Sequence, residues 1–433
     1  MVVYRSAIFT PLADPFPSTE LEGTYRHLDD GYLVVDDRGS IAGVGPWDSL
    51  PDHHRDHPVV RLSPDRLISP GFVDAHLHGP QLEMIGSYGG HLLEWLNRYT
   101  FPTEMKFADP EYARNVSAGL FDELLRNGTL LTLVFSTSHT EATNVLFEEA
   151  ERRGMRAIIG KAMMDRNAPA GLIESTEDSY RGTLELLKRW GHHEILRYAI
   201  SPRFAPTATQ KLLHLAGELR QEFPEAYVHT HVSENLSEVF WVKQLFPDAE
   251  NYVDVYDQAG LLGERTILAH GVHLSDEELR TVAESKTRIC HCPNSNLFLG
   301  SGLFPLKSVL RAGITVALGS DIGAGTTPSM LNAMADAYKV QQVQGISLSP
   351  FHLWYLATLG GARALSLGDT TGSIEEGKEA DFIVLDLSAT PLLRRRIASA
   401  GALEDMLAAL IFIGDDRVVD RAFVRGREVY ARG

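Results

Sequence analysis

Eight times between residues 67 and 370 a short apolar run ends in polar residues and gives way to a longer mixed stretch. The runs are RLISPGFVDAH, GTLLTLVFSTS, RAIIGKAMMD, LRYAISPRFAP, AYVHTHVSE, RTILAHGVHL, TRICHCPNSN and TVALGSDIGAG. Each has the length of a strand, and the segments between them include PEYARNVSAGLFDELLRNG and DEELRTVAESK, which carry helical spacing. Strands that alternate with helices pair in parallel. Eight such units predict a closed (β/α)8 barrel of the TIM type over 67–370 rather than an open doubly wound sheet.

The two ends read differently. Residues 1–66 carry VVYRSAIFTPL and GYLVVDDRGSIAGVG, and residues 371–433 carry GSIEEGKEADFIVLDL and DRVVDRAFVRGREVYARG. These are strand patterns around Gly and Asp turns, too short for a second enzyme. They predict one small β-sandwich formed from the N- and C-terminal segments.

Bulk properties narrow the function. With 40 basic and 57 acidic side chains the net charge is −17, which repels phosphate backbones, so a nucleic-acid partner is not expected. No apolar run is long enough to span a bilayer, and the opening MVVYRSAIFTPLADPFPSTE lacks the basic and apolar regions of a signal peptide. The only cysteines, Cys290 and Cys292, stand one residue apart and give no disulfide framework. They read as small buried residues. A cytoplasmic setting is expected.

In a barrel of this kind chemistry sits at the C-terminal ends of the strands. The first run ends in His76-Leu77-His78, and alternate strand residues share a face, so both imidazoles point into the barrel mouth. Other runs end in His231, His270 and Asp321, and Glu234 follows His231 by three residues. Any one buried histidine is ordinary. Such groups at four strand ends predict a metal centre. His229, one layer deeper than His231, is left out of the ligand set. A catalytic zinc acidifies a water, and a carboxylate off the metal can take its proton. Glu234 suits that role, Asp321 can ligate while orienting the water, and His270 can bond the developing oxygen. The thiolate deaminase signature, HExxH, a P-loop and GxGxxG are all absent from the sequence.

VDAHLH, HVSE, AHG and GSDIGAGT in this order resemble the amidohydrolase superfamily. Within it the chain is similar to the guanine deaminases, through HGPQLEMIGSYGGHLLEWLNRYTFPTE, KAMMDRNAP, PRFAPT, HTHVSEN, AHGVHL, HCPNSNLFLGSGLF, GSDIGAGT, ATLGGARAL and GKEADFIVLD. The resemblance implies a barrel with a small β-sandwich, one zinc per subunit and a homodimer. It implies zinc ligands His76, His78, His231 and Asp321, with Glu234 as proton shuttle and His270 beside the water. The implied substrate, guanine, is held by Gln81, Arg203 and Phe204, with Gly79 and Pro80 shaping the pocket and His78, His231, Glu234 and Asp321 bordering it. The side-chain chemistry agrees: a guanidinium fork suits a purine carbonyl, an amide matches an amide-like ring edge, and a phenyl ring gives an apolar wall. The aromatic WLNRYTF reads as core or as a cap over the pocket, and Lys161 is not expected to bridge a second metal. Two alternatives stay open. One is a sister enzyme acting on 8-oxoguanine, a pterin or an aminotriazine; the other is a non-catalytic barrel.

Overall fold

The computed structural model describes residues 1–18 and 20–433. Five strands open the chain: β1 (Val2–Pro11), β2 (Tyr25–Val35), β3 (Ile41–Pro46), β4 (Val59–Arg61) and β5 (Arg66–Pro70). The run RLISPGFVDAH, expected as one strand, is then split at Gly71, where β5 ends and β6 (Phe72–His78) begins. A Cβ at Gly71 would lie 2.3 Å from Leu130 Cδ1, so only glycine fits the crossing.

After β6 come β7 (Thr129–Phe135), β8 (Arg156–Gly160), β9 (Ala162–Met163), β10 (Leu196–Pro202), β11 (Tyr227–Val232), β12 (Thr266–His270), β13 (Arg288–His291) and β14 (Val316–Leu318). Their order in the sheet is β6-β7-β8-β10-β11-β12-β13-β14, with the short β9 beside β10. The pairings from β8 to β14 are parallel. Two backbone bonds bring the chain beyond β14 back to β6: Asp321 N donates to the His76 carbonyl at 2.9 Å and His78 N to the Ile322 carbonyl at 2.7 Å. The expected barrel is present, and all eight expected runs supply its strands. Helices alternate with them, among them Pro110–Arg126 and Asp276–Glu284, as the spacing predicts. Ser275 and Asn235 begin their helices with reciprocal capping boxes to Glu278 and Glu238, which fixes where each loop stops.

The chain then forms β15 (Phe382–Asp386), β16 (Val419–Val424) and β17 (Arg427–Ala431). These complete a terminal sheet in the order β17-β16-β15-β5-β1-β2-β3, with β4 beside β1. The sandwich expected from both termini is thus one continuous hydrogen-bonded sheet. Its core gathers Ile8, Leu33, Ile68, Val384 and the stacked pair Phe382 and Phe423, whose centroids are 4.4 Å apart.

The chain divides into two compact units. One comprises Met1–Val73, Glu123–Leu131 and Ser329–Gly433, and holds the terminal sheet and the later helices. The other comprises Asp74–Asp122 and Thr132–Pro328, and holds every residue of the site described next.

Candidate active site

Within β6 the alternation brings Asp74, His76 and His78 to one side, each at most 4% exposed. β11 contributes His229 and His231 in the same way, and the turn after β14 contributes Asp321. The donor atoms converge. His78 Nε2 faces His231 Nε2 at 3.0 Å, and Asp321 Oδ1 lies 3.2 Å from His76 Nε2 and 3.5 Å from His78 Nε2. Phe135, the last residue of β7, packs against the rings of His76, His78 and His231 with centroids 5.0–5.8 Å away, which restricts their rotamers. Ser233, His270 and Asp321 all take positive φ, 46°, 73° and 52°, a left-handed conformation that costs a non-glycine residue about 1–2 kcal/mol. The strain sits where the strand ends turn their side chains inward.

These residues fit a metal ion. The Arg203 carbonyl lies 2.7 Å from His231 Nδ1, and a carbonyl only accepts, so Nδ1 carries the proton and Nε2 offers a lone pair. His76 Nδ1 bonds His229 Nε2 at 2.7 Å, while buried His76 Nε2 has no hydrogen-bond partner among the described residues. Burial, reinforced by neighbouring positive groups, holds the His76, His78 and His231 imidazoles well below their ordinary pKa and therefore neutral. The His78–His231, His76–Asp321 and His78–Asp321 separations of 3.0–3.5 Å are close to the edges of about 3.3 Å that a tetrahedral site with 2.0–2.1 Å bonds requires. The donor atoms of His76, His78 and His231 all lie within 4.8 Å of one another. A second grouping, His76, His270, Cys292 and Asp321, overlaps this one. Cys290 and Cys292 are both buried and unbridged.

Glu234 and His270 face each other beside the donors. Glu234 Oε2 is 3.5 Å from His270 Nε2, and Glu234 Oε1 accepts from Ser301 Oγ at 2.9 Å. Burial lifts the Glu234 carboxyl to about 7, which suits a group that both takes and gives a proton near neutrality. For His270 burial alone would lower the pKa, but the carboxylates of Glu234 and Asp321 and a bond to Asn296 raise it overall. One layer below, Asp74 is pushed up to about 7 by burial and accepts from the Ser320 backbone amide at 2.9 Å and from the Ser320 hydroxyl. That bond anchors the residue preceding Asp321.

A pocket opens over the donors. His78, His231, Glu234, His270 and Asp321 form its polar floor; Gln81, Arg203, Phe204, Trp95 and Leu96 are among its walls. Gly79 and Pro80 are buried and open the 3-10 turn Gly79–Met84 that delivers Gln81. The helical segment Leu92–Met105, interrupted by a π-turn at Leu96–Thr100, brings Trp95 and Leu96 over the pocket. Both readings of WLNRYTF therefore hold: Trp95 is 1% exposed and also lines the pocket.

Three kinds of residue escaped the sequence reading. Glu104, fully buried, accepts from Gln81 Nε2 at 2.8 Å and from Arg203 Nη1 at 2.6 Å. Ser301 and Asn296 orient Glu234 and His270, and Asp74 braces the Asp321 turn. Asp74 had a visible signal, since it alternates with His76 and His78; the others had none. Lys161 pairs with Glu174 and with the Ser138 carbonyl, away from the donors. Asp165 holds Thr209 and Thr176, as befits a loop brace.

The fold and the gathered donors are those of a hydrolase barrel, and the chain belongs to the Amidohydrolase family, whose pattern matches residues 67–429. Among its relatives, guanine deaminase of Escherichia coli (strain K12) is 47% identical over 413 residues, covering 95% of this chain and 94% of that one. The solved E. coli guanine deaminase superposes with a TM-score of 0.96 at 45% identity, covering 100% of each chain. Guanine deaminase from C. acetobutylicum, solved with guanine bound in the active site, gives a TM-score of 0.91 at 32% identity over 99% of each chain. An adenosine deaminase from Xanthomonas campestris with bound zinc gives 0.85 at 25% identity, over 99% of this chain and 92% of that one. Among the described residues no helix is long and apolar enough to cross a membrane.

Proposed function

We propose that this chain is a guanine deaminase that hydrolyses guanine to xanthine and ammonia. The observation that carries the reading is that Gln81 and Arg203 open onto the same pocket as Glu234 and the donors His78, His231 and Asp321. The similarity to guanine deaminases along nearly the whole chain supports it.

His76, His78, His231 and Asp321 are the residues that would hold one zinc ion per subunit. Zinc bound there supplies Lewis acidity and lowers the pKa of an attacking water. Glu234 takes a proton from that water as it adds to the ring carbon bearing the exocyclic amine. The same carboxyl delivers that proton to the adjacent ring nitrogen, then takes the remaining proton of the added hydroxyl and passes it to the amine, so that the C–N bond breaks, the new carbonyl forms and ammonia leaves. His270 gives its Nδ1 proton to Asn296 Oδ1, so it donates from Nε2 as the imidazolium that Glu234 and Asp321 favour, toward the oxygen that gains charge as the tetrahedral centre forms. Arg203 presents its remaining N–H groups to the purine carbonyl and acceptor nitrogens, Gln81 pairs with the amide-like edge, and Phe204 and Leu96 exclude water from the ring faces. Burial of the whole set keeps Glu234 poised near neutrality. A homodimer in the cytoplasm completes the proposal, on the strength of the resemblance to this family.

The test is ammonia and xanthine release by zinc-quantified protein, with guanine beside adenine, 8-oxoguanine, cytosine and an aminopterin. Preferential release from guanine is the expected outcome. Release only from another heterocycle would keep the hydrolytic chemistry and overturn the assignment of Gln81 and Arg203. Silence on every substrate at full zinc occupancy would point to a non-catalytic barrel.

A further inference from the structure

Gln81 and Arg203 approach the pocket from different elements, one from the turn after β6 and the other from the loop after β10. Among the described residues both are tied to one buried carboxylate behind the wall, Glu104, which does not itself line the pocket. We propose that Glu104 is a positioning residue for substrate selection: its two oxygens fix the orientation of the Gln81 amide and of the Arg203 guanidinium so that both read the carbonyl edge of a purine. This inference rests on the assignment of Gln81 and Arg203 as substrate contacts.

The hydrogen bonds leave little freedom. The Gly323 backbone N–H donates to Gln81 Oε1 at 3.2 Å, and a backbone amide cannot accept there. The side-chain oxygen must therefore face Gly323, and Nε2 must face a pure acceptor, which Glu104 Oε1 supplies at 2.8 Å. An amide that is often ambiguous is here fixed by its two partners. The other Glu104 oxygen accepts from Arg203 Nη1 at 2.6 Å, in a pair whose side chains are 1% and 3% exposed. One N–H and one lone pair of Gln81, and the other N–H groups of Arg203, are left for a ligand. A buried ion pair is weak evidence of stabilisation in itself. Its placement directly behind two pocket residues gives this one a role in orienting them.

Glutamate is the side chain that meets both demands. A glutamine at 104 has one acceptor and one donor, so it must point its NH2 at either Gln81 Nε2 or Arg203 Nη1. Letting Gln81 flip to accept from it would set Nε2 against the Gly323 N–H. Either arrangement leaves one buried donor facing another, and one recognition arm loose.

The experiment measures steady-state kinetics on Glu104→Gln, with hypoxanthine and purine as competitive inhibitors. Hypoxanthine keeps the carbonyl edge; purine lacks it. The expected result is a guanine KM raised about 10- to 100-fold with kcat within about threefold, and bound zinc unchanged. Hypoxanthine inhibition should weaken about tenfold or more, while purine inhibition moves less than about twofold. Glu104→Asp keeps both acceptors on a shorter arm and should fall between, and it carries the same test if the Gln variant does not fold. Equal weakening of both inhibitors, or an unchanged KM, would overturn the inference. Gln81→Ala and Arg203→Lys measured alongside separate the two levels. If they raise KM and Glu104→Gln does not, only the positioning role fails. If neither raises it, the substrate assignment fails and the positioning role with it.

Discussion

The pocket has two halves built on different principles. The floor is made of strand ends: β6, β11 and β12 each deliver a histidine in a pose set by strand alternation, and the turn after β14 adds Asp321. The wall is made of a turn, a loop and a helical segment, and its two polar readers are cross-linked through Glu104. In the floor, backbone regularity places the chemistry, so its pattern recurs in the chain with period 2. In the wall, placement depends on side-chain bonds between residues 23 and 99 positions apart in sequence. On the proposed reading, the barrel places its reaction on strand ends and its selectivity on side chains that a buried carboxylate and a backbone amide hold still.

Four experiments break or sharpen that contrast. The largest effect is expected from emptying the floor. Chelation should abolish turnover, and added zinc should restore it, as followed by ammonia release. Next, Glu234→Gln should keep zinc and bind guanine while kcat falls about 10²- to 10⁴-fold; near-normal turnover would remove Glu234 from the mechanism. A wall variant should look different. Arg203→Lys keeps a charge for Glu104 but loses the planar fork, so KM should rise about tenfold with zinc content unchanged. A matching fall in zinc content would show that the two halves are not separable.

The smallest effect concerns pH and the metal-free protein. Burial lifts Glu234 from 4.5 to about 7, so between these values the folded chain retains a proton that the unfolded chain has released. Its contribution to stability therefore falls as pH rises through that window. The midpoint of chemical denaturation of metal-free wild type should decline relative to Glu234→Gln between those pH values, and level off above them. A constant difference between the two proteins would contradict the burial assigned to Glu234.

The contrast also explains what could be read in the chain itself. Eight apolar runs and the helices between them announce the barrel, and alternate spacing places His76 with His78, and His231 with His229, on shared strand faces. His229 follows the same alternation one layer deeper and bonds His76. The split of the first run at Gly71 was hidden, because the close approach of Leu130 that demands glycine arises only in the folded chain. Glu104 was hidden for a like reason. In TFPTEM it reads as an ordinary acid in the first turn of a helix, and nothing local says that it is fully buried beneath Arg203. Ser301 and Asn296 are equally plain residues whose partners lie 67 and 26 positions away.

The most direct test of the account is guanine turnover measured against zinc bound per chain, from the metal-free protein upward. The rate should rise in proportion to zinc and level off at one ion per chain if His76, His78, His231 and Asp321 act as the single ligand set proposed for them. Turnover by the zinc-free chain, or a rate that keeps rising to two ions, would contradict it.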